Sequence, residues 1–408
     1  MSNKIIIRHV NIESHRIEVT FDVSEGLRKF FKAETSFFTE YSENIQQTPV
    51  GVAVIHFICN VLPIVWLTDA VLETPSLDKN FYDSINEFKK GYVNMYPMLH
   101  FKGAVHVGNI EKYSSQGHNT AAFFSGGVDA FATLIAHVDE KPILLTVWGA
   151  DIKLNDLQGW DNVKKHVEQT CENFHLNKLY IKSNFREFLA YKTLEHLIKK
   201  TGDNWWHGFQ HGIGLLGLGA PGASCLGIST IYIASSFTFR EKGLVTCASD
   251  PSIDNFVRFC GSQIVHDQYE YNRQEKIRHI CEFVQKNSIP IHLRVCWTSS
   301  GGKNCCHCEK CYRTMFGLFA EGVDPKDYGM DYTDEDLEKS YNKLKYQISF
   351  RFKPIQARFI CNEKALSMAS TQWIYTCDID QMSKMTFKKR IYVFSQRIYR
   401  KLKSVMHL

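Results

Sequence analysis

Two groups of residues in this chain have types and spacing that could do chemistry, and the first is the run Ser125-Gly126-Gly127-Val128-Asp129. Apolar residues predict a strand over 121–124 before it and a helix over 128–137 after it. Two glycines at such a turn leave backbone N–H groups free to approach an anion, and the helix dipole adds to the attraction. Ser125 adds a hydroxyl donor, and Asp129 would hold a magnesium ion or fix the loop. The turn therefore predicts a phosphate-binding site.

The second group is a cluster of cysteines near residue 300. Its spacing is Cys-x8-Cys-x2-Cys-x2-Cys, formed by Cys296, Cys305, Cys308 and Cys311. Four thiolates at such spacing are typical of a closed, structural zinc site. Cys306 and His307 remain possible substitutes for one ligand. Buried or reactive free thiols are one alternative, and an iron–sulfur cluster is another, although the spacing is not that of a ferredoxin.

Short apolar segments alternate with helical patterns between residues 118 and about 325. The predicted strands are 121–124, 142–148, 178–182, 230–235 and 291–295, and the predicted helices between them include 160–174, 185–200 and 273–285. This alternation predicts an α/β fold with a doubly wound parallel sheet covered by helices on both faces. In such sheets ligands bind at the carboxyl ends of the strands. The glycine turn follows the first of these strands.

Further polar residues follow other predicted strands or begin helices. Asp151 comes after the second strand and would meet a nucleotide's ribose or base, the alternative being an ordinary turn aspartate. His207 begins a glycine-rich helical segment and would face the pocket. It shares a helix face with His211, but no third metal ligand is nearby. Arg240, Asp250 and Asp254 complete a candidate substrate-binding set, with Asp254 equally suited to start a helix.

The glycine turn followed by this cysteine pattern resembles the 7-cyano-7-deazaguanine synthase family of the PP-loop ATP-pyrophosphatases, which have an adenine nucleotide alpha hydrolase-like fold. The resemblance covers about residues 118 to 315. Arg313, just after the last cysteine, falls where these proteins commonly carry arginine. The chain departs from the pattern at Ala130, where the loop usually has serine, and at Cys306, where glycine is usual. Ala130 removes one hydroxyl contact to phosphate.

The resemblance implies a ligase with ATP, magnesium and zinc as cofactors. ATP would bind on the loop from Ser125 to Asp129, and a carboxylate would attack its α-phosphate to form an acyl-adenylate. An amine donor would then give an amide or, after a second activation, a nitrile, as in the deazapurine chemistry of queuosine biosynthesis. The zinc would organise the substrate pocket rather than react.

Three other functions remain open. One is tRNA modification of the thiolation type, with Cys225, Cys247 or Cys260 as a reactive sulfur carrier. Another is a synthase-like protein of anti-phage defence that modifies a protein acceptor, by analogy of fold. The last is a non-catalytic nucleotide-binding scaffold.

The chain of 408 residues is long for one domain, so two or three units are expected, and the patterns along the chain divide it into three parts. Residues 1–115 are expected to form a separate α+β domain of unknown role, and 116–325 the ATP-binding domain. Residues 326–408 are expected to form a basic helical extension with apolar residues at helical spacing between 387 and 402. That helix would dock on RNA, on a protein, on an anionic membrane or on the chain's own surface.

Composition and cysteine usage predict an ordinary globular protein of the cytoplasm. The net charge of +5 is too mild to imply nucleic-acid binding by itself. The N-terminus lacks the apolar segment of a signal peptide, and clustered cysteines favour metal binding over disulfides, so a cytoplasmic location is expected. The longest apolar run, 50–67, contains polar residues and a proline, and it predicts a buried element rather than a transmembrane segment.

Overall fold

The computed structural model describes residues 3–32, 36–115, 117–243, 245–298, 301–337 and 339. The chain divides into two compact units. The first comprises Met1–Ser125, Asp129–Ser236 and Val245–Tyr269, and the second Gly126–Val128, Phe237–Leu244 and Glu270–Leu408. The predicted basic helix between 387 and 402 lies outside the described residues.

Eleven strands in the described residues of the first unit form one sheet. They are β1 (Lys4–Ile12), β2 (Arg16–Val23), β3 (Phe37–Tyr41), β4 (Val71–Asp78), β5 (Ala104–Glu111), β6 (Asn119–Phe123), β7 (Ile143–Trp148), β8 (Lys178–Ser183), β9 (Ile228–Ala234), β10 (Arg258–Phe259) and β11 (Ser262–Asp267). Their order across the sheet is β10-β11-β9-β6-β7-β8-β3-β2-β1-β4-β5.

Helices connect these strands and also form part of the second unit. They are α1 (Glu25–Arg28), α2 (Val50–Ala53), α3 (Ile55–Leu67), α4 (Lys79–Met95), α5 (Val128–Ala136), α6 (Leu157–Phe174), α7 (Tyr191–Leu197), α8 (His211–Leu218), α9 (Ala220–Leu226), α10 (Pro251–Asp254), α11 (Arg273–Asn287) and α12 (Glu309–Ala320). Of these helices, α11 and α12 lie entirely in the second unit.

The central strands β11, β9, β6, β7 and β8 are parallel to one another. The chain passes from β6 through β7 to β8 in one direction and then returns to β9 on the other side of β6. The strand order therefore reverses at β6, which is the topological switch point where α/β sheets bind ligands. The predicted α/β class with a mostly parallel sheet is confirmed.

The first 115 residues extend this sheet, which differs from the separate domain predicted for them. Strand β3 pairs antiparallel with β8, with Thr39 opposite Ser183, and the Tyr41 hydroxyl donates to the carbonyl of Leu218 at 2.9 Å. The reason is that β8 would otherwise expose an unpaired edge, and β3 fills it. One continuous hydrophobic core joins the two regions.

Two predicted elements have different structures. Residues 291–295 form no strand, because their N–H groups bond to separated loops: Leu293 to the Tyr328 carbonyl at 2.8 Å and Arg294 to the Gly126 carbonyl at 2.7 Å. The helix predicted over 185–200 begins only at Tyr191, because backbone hydrogen bonds tie residues 188 and 190 to residues 32 and 30.

The apolar run predicted to be a buried element forms α2 and α3, and almost all of α3 is buried. Phe57 of α3 is fully buried and lies between Phe37 of β3 and Phe188, which follows β8, at ring-centroid distances of 5.5 and 6.1 Å. No helix in the described part of the chain is long and apolar enough to cross a membrane.

Replacing Phe57 by alanine is predicted to lower the free energy of unfolding by about 3–5 kcal/mol, because it leaves a cavity where the N-terminal strands join the parallel strands. Urea denaturation followed by circular dichroism measures the change. Val93→Ala, at a 43% exposed position of α4, is the control and is expected to change stability by less than about 0.5 kcal/mol. Equal effects of the two substitutions would contradict this description of the core.

Candidate active site and metal centre

The glycine turn lies between β6 and α5 and is held in place by β7. The backbone N–H of Phe124 donates to the Leu145 carbonyl at 2.8 Å, and the Thr146 hydroxyl donates to the Phe124 carbonyl at 3.0 Å. Gly126 has φ +77°, in the left-handed region that favours glycine. Ser125 is exposed. The turn thus has an exposed serine on a fixed backbone at the sheet's switch point.

Asp129 occupies the first turn of α5 and is half-buried. The hydroxyl of Ser236, which follows β9, donates to Asp129 Oδ2 at 3.5 Å. This contact joins the segment after β6 to the segment after β9, the two neighbouring strands at the switch point. The next residue, Ala130, is only 5% exposed. Because Ala130 has no hydroxyl, donors to an anion here come from the backbone and from Ser125.

An arginine that sequence reasoning missed links the loops after β7 and β8. Arg186 donates from Nη1 to the carbonyl of Ala150 at 2.6 Å, and its guanidinium lies 4.2 Å from the ring centroid of Trp206. Asp151 is exposed in the same loop after β7. Arg186 was detectable only as a basic residue just past a strand end. It places positive charge at the carboxyl edge of the sheet, the edge at which the glycine turn lies.

A short π-helix at Trp206–Gln210 carries His207. Such turns occur frequently at functional sites. Gln210 is fully buried and anchors the turn, donating to the Phe185 carbonyl at 2.8 Å and to Asn60 Oδ1 at 2.6 Å. Because Phe185 closely follows β8, the π-helix also lies at the carboxyl edge of the sheet.

His207 belongs to a polar cluster drawn from distant parts of the chain. Its Nδ1 lies 3.2 Å from Asp203 Oδ1, and Asp203 also accepts hydrogen bonds from the hydroxyls of Tyr96 (2.8 Å) and Thr246 (2.5 Å). Hydrogen bonds to Asp203 and then to Cys247 outweigh burial and raise the pKa of His207 to about 10. The imidazole is therefore a cation at neutral pH.

The other candidate substrate-binding residues make different contacts. Asp250 is the N-cap of α10 and accepts from the backbone N–H two residues ahead, so it takes the helix-start role considered for Asp254. Asp254 is fully buried, accepts from the Ser249 hydroxyl at 2.7 Å and pairs with His266 Nδ1 at 2.8 Å. Arg240 is exposed in a 3₁₀ turn of the second unit.

The four predicted metal ligands converge in the second unit. The sulfur atoms of Cys296, Cys305, Cys308 and Cys311 lie within 4.8 Å of one another, with separations of 3.8 Å for the first and third and 3.9 Å for the second and fourth. A zinc ion with Zn–S bonds of about 2.3 Å needs tetrahedral thiolates about 3.8 Å apart. The cluster could hold a metal ion and is compatible with zinc. Among the described residues it is the one such group of three or more ligand-type side chains.

The two possible substitute ligands lie outside this group. Cys306 is buried and has φ +57°, a backbone conformation that glycine adopts more readily. The Nδ1 atom of His307 lies 3.6 Å from Asp336 Oδ1.

Asn304 fixes the segment that carries the first cysteine. Its Oδ1 accepts from the backbone N–H groups of Val295 (2.9 Å) and Cys296 (3.3 Å), and its Nδ2 donates to the carbonyls of Leu293 (2.7 Å) and Gly329 (3.0 Å). One amide side chain therefore satisfies four backbone groups around a ligand. In the same segment, the N–H of Arg294 bonds to Gly126 of the glycine turn, also in this unit.

Comparison with protein-family models, curated proteins and solved structures found no match for this chain. Three features of the described residues therefore carry the functional inference: the turn at the switch point, the polar cluster around His207, and the four cysteines.

Asn304→Ala is predicted to weaken zinc affinity by about 10–100-fold, because the Cys296 backbone loses the groups that orient it. Competition with a chromophoric chelator measures the affinity. Asn287→Ala, which removes an exposed amide bonded within α11, is the matched control and should leave it unchanged. Zinc affinity unaffected by Asn304→Ala would mean that Asn304 has no part in the metal centre.

Proposed function

We propose that this protein is an ATP-dependent ligase that activates a carboxylate as an acyl-adenylate and transfers the acyl group to an amine. The product is an amide or, after a second activation by ATP that removes the amide oxygen, a nitrile. The observation that carries the proposal is the position of the glycine turn, at the carboxyl end of β6 where the strand order reverses. The sequence resemblance to 7-cyano-7-deazaguanine synthases supports the same chemistry.

The turn suits the phosphates of ATP. Backbone N–H groups at the start of α5 and the Ser125 hydroxyl would donate to phosphate oxygens. A substrate carboxylate oxygen would attack the α-phosphorus, the bond to the bridging oxygen would break, and pyrophosphate would leave. Magnesium bound with ATP would neutralise the developing charge, and Asp129 is the carboxylate best placed to orient it.

Positive groups at the carboxyl edge of the first unit suit an anionic substrate. The guanidinium of Arg186 provides a planar fork for a carboxylate, and the His207 imidazolium adds a second cation. A deazapurine carboxylate, 7-carboxy-7-deazaguanine, is the first substrate to test, and a protein acceptor in place of ammonia is the second.

The cysteine cluster would act on the site through structure. A zinc ion held by four thiolates has no open coordination position, so it would not polarise a substrate. It would stiffen the segment whose Arg294 N–H bonds to Gly126, and thereby hold one side of the turn within the second unit.

Asp129→Asn is predicted to lower the rate of ATP–pyrophosphate exchange by at least about 100-fold, because the variant loses the charge that orients magnesium. Exchange of labelled pyrophosphate into ATP, with 7-carboxy-7-deazaguanine as substrate, measures the step. Asp139→Asn, an exposed aspartate in the 3₁₀ turn after α5, is the matched control with the expected wild-type rate. Absence of exchange and of ATP binding in the wild type would overturn the proposed function.

A further inference from the structure

We propose that Cys247 is the nucleophile of a Cys–His–Asp site completed by His207 and Asp203, and that it accepts an acyl group as a thioester. The acyl class rests on the proposed function, because the acyl-adenylate would be the donor. The nucleophile itself rests on the arrangement of side chains in the first unit.

Hydrogen bonds hold the segment of Cys247 against the π-helix on both sides. The Thr246 hydroxyl donates to Asp203 Oδ2, and the Ala248 N–H donates to the His207 carbonyl at 2.8 Å. A Cβ atom on Gly212 would lie 2.2 Å from the Ala248 carbonyl oxygen, so a glycine is needed for this close approach. These contacts place Cys247 next to His207.

The three side chains have the relationship of a nucleophile, a base and an orienting carboxylate. The sulfur of Cys247 lies 3.8 Å from His211 Nδ1, and the backbone bond from Ala248 to the His207 carbonyl brings His207 beside Cys247. The Nδ1 atom of His207 faces Asp203 at 3.2 Å. Asp203 is itself held by two hydroxyls. This constellation activates thiols in enzymes on unrelated folds.

The electrostatic surroundings favour a thiolate. Burial raises the pKa of the Cys247 thiol, but hydrogen bonds to His207 and His211 outweigh burial and lower that pKa to about 6. From α4 and the residue after it, Tyr92 and Tyr96 also face the thiol, and burial raises the pKa of both, so they are neutral there.

The pKa values of two other buried cysteines shift in the opposite direction. Burial raises the pKa of Cys171 to about 11 and that of Cys281 to about 11. Cys247 is 6% exposed, and the imidazole beside it is more open, with 35% of the His207 side chain exposed. Cys247, His207 and Asp203 are not part of the group of described residues that could hold a metal ion.

The site lies at the carboxyl edge of the sheet, like the glycine turn. Trp206, next to His207, packs under Arg186, which bonds to the loop after β7. The π-helix is also anchored to Phe185, just after β8. An acyl-adenylate made at the end of β6 would therefore form at the edge where the thiolate lies.

The reaction balances without an oxidant or a further cofactor. The Cys247 sulfur attacks the acyl carbon, a C–S bond forms, the C–O bond to phosphate breaks, and AMP leaves as an anion. An amine then attacks the thioester, a C–N bond forms and the C–S bond breaks. The sulfur leaves as the thiolate paired with His207, and the amine's proton passes to water.

The thiolate is tested by the pH dependence of iodoacetamide alkylation of the full chain, read by mass spectrometry of the Cys247 peptide. We expect half-maximal rate near pH 6, with a shift toward the ordinary value of about 8.5 in His207→Asn. His196→Asn, at an exposed histidine of α7, is the matched control, and the Cys171 peptide should react only at alkaline pH. Wild-type alkylation confined above pH 8, or a profile unchanged by His207→Asn, would overturn the proposal.

The thioester is tested with ATP, magnesium and 7-carboxy-7-deazaguanine in the absence of amine. We expect a hydroxylamine-sensitive adduct on Cys247. Cys247→Ser should retain pyrophosphate exchange while amide formation falls by at least about 100-fold, and Cys171→Ser should match the wild type in both.

Amide formation by Cys247→Ser at the wild-type rate would overturn the thioester. Absence of pyrophosphate exchange in the wild type would instead overturn the proposed function and the acyl donor, while an alkylation midpoint near pH 6 would still support the activated thiol.

Discussion

Parallel pairing of β6 with β7 on one side and β9 on the other is the constraint on which the rest of the structure depends. The strand order reverses at β6, and open α/β sheets bind ligands at such a switch point. The glycine turn occupies that position, and Asp129 and Ser236 meet across it. The backbone donors of the turn are fixed by the same pairing, because β7 holds Phe124 by two hydrogen bonds.

Two positive groups, Arg186 and His207, lie at the carboxyl edge of the sheet in the first unit. Arg186 is held by its hydrogen bond to the Ala150 carbonyl, and the His207 cation is held by its hydrogen bond to Asp203. Buried polar groups are costly unless they are satisfied, and a satisfied network fixes the position of each member. Hydrogen bonding to Asp203 accordingly raises the pKa of His207. Burial raises the pKa of Cys247, but hydrogen bonds to His207 and His211 outweigh it and lower that pKa.

Local sequence signals predicted the local structure well. The strand, turn and helix around Ser125 and the four-cysteine spacing both depend on residues close together in the chain, and the structure contains each of them. The merging of residues 1–115 into the sheet could not be predicted, because β3 pairs with β8 about 140 residues away. The apolar pattern of the strands in residues 1–115 is the same as that of strands in a separate domain.

Two features of the candidate site lacked a sequence signal for the same reason. Asp203 and His207 are near one another in the chain, but Cys247 joins them only through long-range hydrogen bonds, and cysteine spacing alone gave it no priority over Cys225 or Cys260. Residues 291–295 have the apolar composition of a strand and were therefore predicted to form one. Their N–H groups bond to the glycine turn and to Asn304 rather than to a neighbouring strand.

Calorimetric titration with a non-hydrolysable ATP analogue and magnesium tests most directly whether nucleotide phosphates bind at the glycine turn. The wild type is expected to bind one equivalent per chain. Gly126→Ala should bind at least about tenfold more weakly, because a Cβ atom is strained at φ +77° and obstructs close approach of phosphate to the backbone. Lack of binding by the wild type, or equal affinity of a folded Gly126→Ala variant, would contradict the account.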